Sequence, residues 1–171
     1  MIDALSIPRI KLLHPKLRDE ALKIYNETSK ILTGGAYCRI THTLRTFEQQ
    51  NELYKIGREK LFDEDGNRIG IVTKAKGGQS FHNYALAIDF CLMESRTASW
   101  DINKDFDKDG KADWMEVIAV FKRYGWESGA DWKFKDFPHL QKTFGYTTKQ
   151  LLEKWNKGET FIDNGIKYVK L

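Results

Sequence analysis

Two histidines and two carboxylates, divided between two short stretches, constrain this sequence more than anything else in it. The first stretch runs from Ser80 to Asp89 (SFHNYALAID) and carries His82 and, seven residues later, Asp89. The second is Asp136-Phe137-Pro138-His139, a carboxylate three residues ahead of an imidazole. His82, Asp89 and His139 are a sufficient set for a catalytic Zn²⁺, which takes three protein ligands and keeps one position for water. Asp136 is then left to act as general base on that water. The helical signature H-E-x-x-H is absent, so spacing alone does not settle the matter. Ala87 to Phe90 reads as a strand, on which Ala87 and Asp89 share a face and Ile88 points away. Pro138 fixes the backbone just before His139 and biases Phe137 towards an extended conformation.

These residues carry a family resemblance. Ser80, His82, Ala87 and Asp89 match the S-x-H-x-x-G-x-A-x-D signature of the LAS zinc peptidases. That family includes vancomycin-resistance dipeptidases and carboxypeptidases, and phage L-alanyl-D-glutamate endopeptidases. Gly129-Ala130-Asp131-Trp132, leading into Asp136-Phe137-Pro138-His139, resembles the second signature, G-x-D-W followed by D/E-x-P-H. Ile40 to Arg58 is similar to the upstream segment of the phage and prophage enzymes, so the resemblance spans most of residues 10–141.

The resemblance implies an α+β fold of the LAS/hedgehog type, a small, mainly antiparallel sheet flanked by helices. It implies the stem peptide of bacterial peptidoglycan as substrate, cut between L-alanine and D-glutamate. Arg45 would then stabilise the developing oxyanion, a task that suits a guanidinium because it stays charged and donates in a fixed fork. Ser80 and Trp132 are the expected substrate-side residues. A surface arginine paired with a carboxylate is the alternative for Arg45. A D-alanyl carboxypeptidase or dipeptidase is the alternative chemistry, and a non-catalytic, calcium-dependent wall-binding module is the alternative class. One position departs from the pattern, because the family glycine is Ala85 here. That substitution is costly if the backbone needs positive φ and harmless if it needs only a small side chain.

Asp105 to Glu116 (DFDKDGKADWME) fits D-x-D-x-D-G-x-x-D-x-x-E, the loop pattern of an EF-hand. Asp105, Asp107, Asp109, Asp113 and Glu116 supply carboxylates, and Lys111 supplies its backbone carbonyl. Oxygen ligands of this kind select Ca²⁺ over Zn²⁺. No helix is expected before the loop, so it reads as a calcium insertion at 105–116, structural or regulatory, ordering the approach to the second metal motif. An acidic turn capping the next helix is the alternative.

At 171 residues the chain is read as one catalytic domain, 1–171, long enough to bury a core. Its net charge of +4 suits an anionic partner such as a teichoic-acid-rich wall, and without a dense Lys/Arg run no nucleic-acid partner is expected. Cys38 and Cys91 read as buried free thiols made in a reducing compartment. With neither a cationic-then-apolar start nor a long apolar run, no signal peptide or membrane span is expected. Synthesis in the cytoplasm, release to the wall as for a phage endolysin during lysis, and a monomeric state complete the expectation.

Along the chain, helices are predicted from Pro15 to Leu32, Thr46 to Gly57, Asp113 to Tyr124 and Thr147 to Asn156. Strands are predicted from Ala36 to Thr43, with His42 as a half-buried strand histidine, and from Ile69 to Val72. Thr46 and Gln49 should form a capping box, with Phe47, Leu53 and Tyr54 on the inner helix face. Asp63 to Asn67 reads as a turn, Glu94 to Lys104 as a polar loop, and Phe161 to Val169 as a hairpin about Asn164-Gly165.

Overall fold

The computed structural model describes residues 3–171. In chain order the elements are α1 (Ser6–Ile10), α2 (Pro15–Ile31), β1 (Ala36–His42), α3 (Phe47–Lys55), a 3₁₀ turn at Phe81–Tyr84, β2 (Ala87–Glu94), β3 (Thr97–Ser99) and α4 (Asp113–Arg123). They continue with β4 (Glu127–Ser128), a 3₁₀ turn at Gly129–Asp131, β5 (His139–Gln141), α5 (Thr148–Asn156), β6 (Thr160–Asp163) and β7 (Ile166–Val169). They group into two compact units, one formed by the chain up to Thr43 with Leu86–Lys142, the other by Leu44–Ala85 with Thr143–Leu171.

The first unit is built on an antiparallel sheet in the order β1-β2-β5-β4, with β3 also paired to β2. β2 is central and almost wholly buried, which is why its sequence, AIDFCLME, is a near-continuous apolar run interrupted by Asp89. Against this sheet pack α1 and α2, while α2 also packs against α4. Pro15 opens α2 behind a His14 cap, and Leu17, Ala21, Ile24 and Tyr25 are buried. Thr28, the polar position in that stripe, is buried too. Its hydroxyl donates to the Tyr25 carbonyl at 2.8 Å, which removes the penalty of a buried donor. On α4, Trp114 is fully buried with its ring 4.7 Å from that of Phe90, and Phe121 meets Trp126 edge-on at 5.3 Å. Cys38 and Cys91 are buried and free, and burial pushes both thiols up.

In the second unit Thr46 caps α3 and Gln49 closes the box, as predicted. The inner face differs from expectation: Phe47, Leu53 and Tyr54 are half-buried, and the buried residue is Gln50. Phe47, Tyr84 and Trp155 form an aromatic cluster with centroids 5.0–6.5 Å apart. Thr147 caps α5, and β6 and β7 form the predicted hairpin. Its turn residues Asn164 and Gly165 both have positive φ, 49° and 76°, as a type I′ turn requires.

Two further sequence expectations fail. The Glu94–Lys104 segment is not all loop, because Thr97–Ser99 folds back on β2 through a tight turn in which Ser95 takes φ 57°. Three small or polar residues carry no alternation to announce such a strand. Ile69 to Val72 forms no strand. Ile71 and Val72 are each 58% exposed, and that segment's pairing is limited to an Ile69 N–H to Leu61 carbonyl bond and a Phe62–Arg68 bridge. β-Branched composition without a partner surface does not make a strand. The short helix α1 had no counterpart in the sequence reading. Among the described residues no helix is long and apolar enough to cross a membrane.

Ala85 resolves its own question. It lies in the left-handed region, φ 57° and ψ 35°, and is fully buried. An L-residue there costs about 1–2 kcal/mol. Ala85→Gly should therefore hold stability within about 1 kcal/mol, relief of strain offsetting the lost methyl and the glycine entropy. Ala85→Val should lose about 3 kcal/mol, from overpacking added to left-handed strain at a β-branched residue. Urea unfolding of both variants checks this.

Candidate metal centre and catalytic residues

Register brings two of the three predicted ligands together. Asp89 on β2 lies directly opposite His139 on β5, so their side chains leave the sheet on one face. His139 Nδ1 is 3.2 Å from Asp89 Oδ1. His139 is buried and the Asp89 side chain is 22% exposed, so the pair sits at the edge of the core with one side accessible. Two ligands held on a tetrahedral zinc at about 2.0–2.1 Å lie roughly 3.3–3.4 Å apart, so the pair fits a shared Zn²⁺ with little adjustment. Burial works against a charged His139 imidazole. The Asp89 carboxylate, with Gln141 and Asp136 adding to it, outweighs that and holds the His139 pKa above its ordinary value. The electrostatics of the pair therefore favour positive charge at this point.

Asp136 reaches the same neighbourhood from the loop before β5. Its N–H donates to the Gly129 carbonyl at 2.9 Å and its carbonyl accepts from His139 N–H at 3.1 Å. A Cβ on Gly129 would lie 2.4 Å from the Asp136 carbonyl oxygen, so the glycine of the G-x-D-W run is required for this close approach. Pro138 continues the tether, its carbonyl accepting from Phe90 N–H at 3.1 Å. Asp136 itself is exposed. Trp132, 39% exposed, stands with its ring 5.1 Å from that of His139, while Asp131 turns away to pair with Lys122 at 2.7 Å.

His82, Ser80 and Arg45 lie in the second unit, joined through one braced turn. Ser80 is the N-cap of the 3₁₀ turn, its hydroxyl accepting from the His82 N–H at 3.3 Å. Arg45 N–H donates to the His82 carbonyl at 3.0 Å, and Asn83 Nδ2 donates to the Arg45 carbonyl at 3.0 Å. His82 is buried. The Arg45 guanidinium donates through Nη1 to Gln50 Oε1 at 3.0 Å. Gln50 Nε2 is bonded to the Ala75 carbonyl, which fixes the amide with its oxygen towards Arg45. His42 ends β1 across from Asp89 and is exposed, not half-buried as expected, because it is the last residue of its strand.

Sequence reasoning missed Gln50 and Gln141. Gln141 stands two residues after His139 on β5, hence on the same face, and its Oε1 is 3.0 Å from His139 Nε2. That i, i+2 spacing was available in the sequence. Glu127, whose Oε2 accepts from Gln141 Nε2 at 2.8 Å, left no such signal.

The acidic loop is folded around its own carboxylates. Asp105 accepts from the N–H groups of Lys108 and Gly110, Asp109 from that of Lys111, and Asp107 from Thr33. Ligand atoms of Asp105, Asp107 and Asp113 lie within 4.8 Å of one another, and so do those of Asp107, Asp109 and Glu116. Asp113 is fully buried. Its Oδ1 accepts from Phe106 N–H, but its Oδ2 has no partner, and neither has the buried Oε2 of Glu116. Burial, with the neighbouring carboxylates adding to it, raises both acids above their ordinary values.

Comparison with known proteins gives the family. The D-alanyl-D-alanine carboxypeptidase profile of peptidase family M15 matches residues 73–142, the segment from before His82 to past His139. The peptidoglycan L-alanyl-D-glutamate endopeptidase CwlK of Bacillus subtilis (strain 168) is 50% identical over 133 residues, 75% of this chain and 72% of CwlK. The crystal structure of the L-Ala D-Glu endopeptidase ChiX from Serratia marcescens superposes with a TM-score of 0.54 over 84% of this chain and 90% of ChiX. At 23% identity that likeness shows the fold. The chain belongs to the M15 peptidases, a family of zinc-dependent enzymes.

Proposed function

We propose that this protein is a zinc-dependent peptidoglycan hydrolase that cuts the stem peptide between L-alanine and D-glutamate. The observation that carries the reading is the 50% identity to CwlK across 133 residues, a span that takes in most of the chain. His82, Asp89 and His139 are the residues that would hold Zn²⁺, and their donor set is the one such a catalytic site uses. Zinc bound there supplies Lewis acidity towards the scissile carbonyl and acidifies water. Asp136 takes the proton of the attacking water and passes it to the leaving amine. Arg45, held by the turn that carries His82, donates to the oxyanion. Trp132, exposed beside His139, offers a face to the peptide, and Ser80 keeps the His82 turn in shape. The resemblance of residues 40–58 to phage and prophage enzymes supports a role in wall lysis.

The matched profile's own description favours a second reading, removal of terminal D-alanine. Mass spectrometry of purified stem peptides digested by the zinc-loaded protein separates the two. A new amino-terminal D-glutamate, absent with His139→Ala, is expected. Loss of terminal D-alanine would move the assignment to a carboxypeptidase. No product with zinc bound would leave a wall-binding module.

The same reading includes Ca²⁺ in the loop at 105–116, ligated by Asp105, Asp107, Asp109, Asp113, Glu116 and the Lys111 carbonyl. Its support is the unpartnered Asp113 Oδ2 inside a ring of carboxylates, since an anionic oxygen buried without a partner is costly unless a cation meets it. Asp113 opens α4, and the next residue, Trp114, packs on Phe90 beside Asp89. Through that contact an ordered loop steadies the strand that carries a zinc ligand, which is how calcium would tune activity.

A further inference from the structure

A line of polar side chains crosses three strands of the first unit. Glu127 on β4 is opposite Gln141 on β5, His139 follows at two residues' spacing on β5, and Asp89 on β2 is opposite His139. The contacts run Glu127 Oε2 to Gln141 Nε2 at 2.8 Å, Gln141 Oε1 to His139 Nε2 at 3.0 Å, and His139 Nδ1 to Asp89 Oδ1 at 3.2 Å. Gln141 and His139 are both buried, at 7% and 8% exposure, so neither can trade these partners freely for water.

Donor and acceptor chemistry gives this line a direction. A carboxylate only accepts, so Glu127 must receive the Gln141 amide N–H, and the Gln141 carbonyl oxygen is thereby turned towards His139. A carbonyl oxygen also only accepts, so His139 Nε2 must carry a proton. In the neutral imidazole Nδ1 is then the lone-pair nitrogen. It faces a carboxylate oxygen, another acceptor. Two acceptors at this separation are reconciled either by a proton, which makes the ring an imidazolium, or by a metal ion that both nitrogen and carboxylate bind.

We propose that Glu127 and Gln141 are positioning residues for the metal: Glu127 orients the Gln141 amide, and the Gln141 carbonyl holds His139 as the tautomer that presents Nδ1, not Nε2, to the cation it shares with Asp89. This rests on the reading of Asp89 and His139 as zinc ligands. The pair touches neither substrate nor metal. It acts by removing the ring flip and the wrong tautomer, either of which would turn a protonated nitrogen to the zinc. Outer hydrogen-bond partners of metal-bound histidines are worth about 10–100-fold in metal affinity or activity.

The test is zinc affinity, measured on metal-stripped protein by competition with a chromophoric chelator, for wild type, Gln141→Leu, Glu127→Gln, the double variant E127Q/Q141E and Asp89→Asn. Gln141→Leu keeps the volume but removes the acceptor, and about 10–100-fold weaker zinc binding is expected with an unchanged far-UV spectrum. Glu127→Gln frees the amide to flip and should lose less. The double variant restores an acceptor at position 141 and a donor at position 127, and should recover affinity to near wild type. A residue that merely packs would not show this rescue. In the zinc-loaded wild type, long-range ¹⁵N–¹H correlation of the His139 ring should find the proton on Nε2. If Asp89→Asn weakens zinc while Gln141→Leu does not, or if the proton is found on Nδ1, the positioning role is wrong and the zinc site stands. If Asp89→Asn leaves affinity unchanged, the zinc site itself is wrong.

Discussion

Asp136→Asn is expected to lower kcat/KM on stem peptides by about 10²–10⁴-fold, the range a positioned general base supplies, while zinc content and fold stay intact. The separation of these effects follows from where Asp136 sits. Its backbone is fixed on both sides, by the Gly129 carbonyl and the His139 N–H, and neither bond involves the side chain. The carboxylate is exposed, so exchanging it for an amide should change stability by no more than about 0.5 kcal/mol. It adds to the field that keeps His139 raised, behind Asp89 and Gln141, so its loss perturbs the metal pair only mildly. An Asp89 or His139 variant should instead lose zinc and activity together. Steady-state kinetics beside metal analysis distinguishes the two patterns. An Asp136→Asn enzyme within tenfold of wild type would mean that another group moves the proton.

What the sequence announced and what it concealed divide along physical lines. Local chemistry was legible. Thr46 with Gln49 and Asn164-Gly165 between β6 and β7 each satisfy their own backbone within four residues, and each stands where it was predicted. The candidate metal ligands were legible for a different reason. Few residue types can serve, so His82, Asp89, His139 and the nearby Asp136 stand out even without a helix signature. Support for those ligands was hidden. Gln50 was passed over because an amide on an inner helix face breaks the apolar pattern, yet it is buried because Ala75 and Arg45 satisfy it. Glu127 gains meaning only once β4 pairs with β5. The reverse error occurred at Ile69–Val72, where β-branched composition promised a strand and the fold supplied no surface to cover it. The family glycine replaced by Ala85 shows a third case. The sequence posed the question of positive φ, and only the backbone could answer it.

Titrating Ca²⁺ into calcium-free, zinc-loaded protein should raise its melting temperature by about 5–10 °C once the ion exceeds its dissociation constant a hundredfold. That follows from a binding contribution of about 2.7 kcal/mol and a sensitivity of about 2–4 °C per kcal/mol for a chain of this size. Asp113 distinguishes a calcium ligand from a plain turn residue. As a plain acidic turn residue at the start of α4, whose N-cap is Ala112, it needs only its Oδ1, which already accepts from the loop's Phe106 N–H at 3.0 Å. An asparagine keeps that acceptor and replaces the unpartnered, buried Oδ2 with an N–H donor, for which the Asp105 and Asp107 carboxylates are the neighbouring acceptors. Asp113→Asn should therefore abolish the calcium shift while leaving the ion-free protein as stable as wild type or more so, because a costly buried charge is gone. A plain turn residue predicts neither effect. Glu116→Gln should likewise weaken the response, since bidentate coordination from the last position of the loop is lost. Mg²⁺, which demands a tighter octahedron and sheds water reluctantly, should shift the transition less. A wild-type melting curve indifferent to millimolar calcium, or a full shift retained in Asp113→Asn, would reduce the loop to an acidic turn at the start of α4.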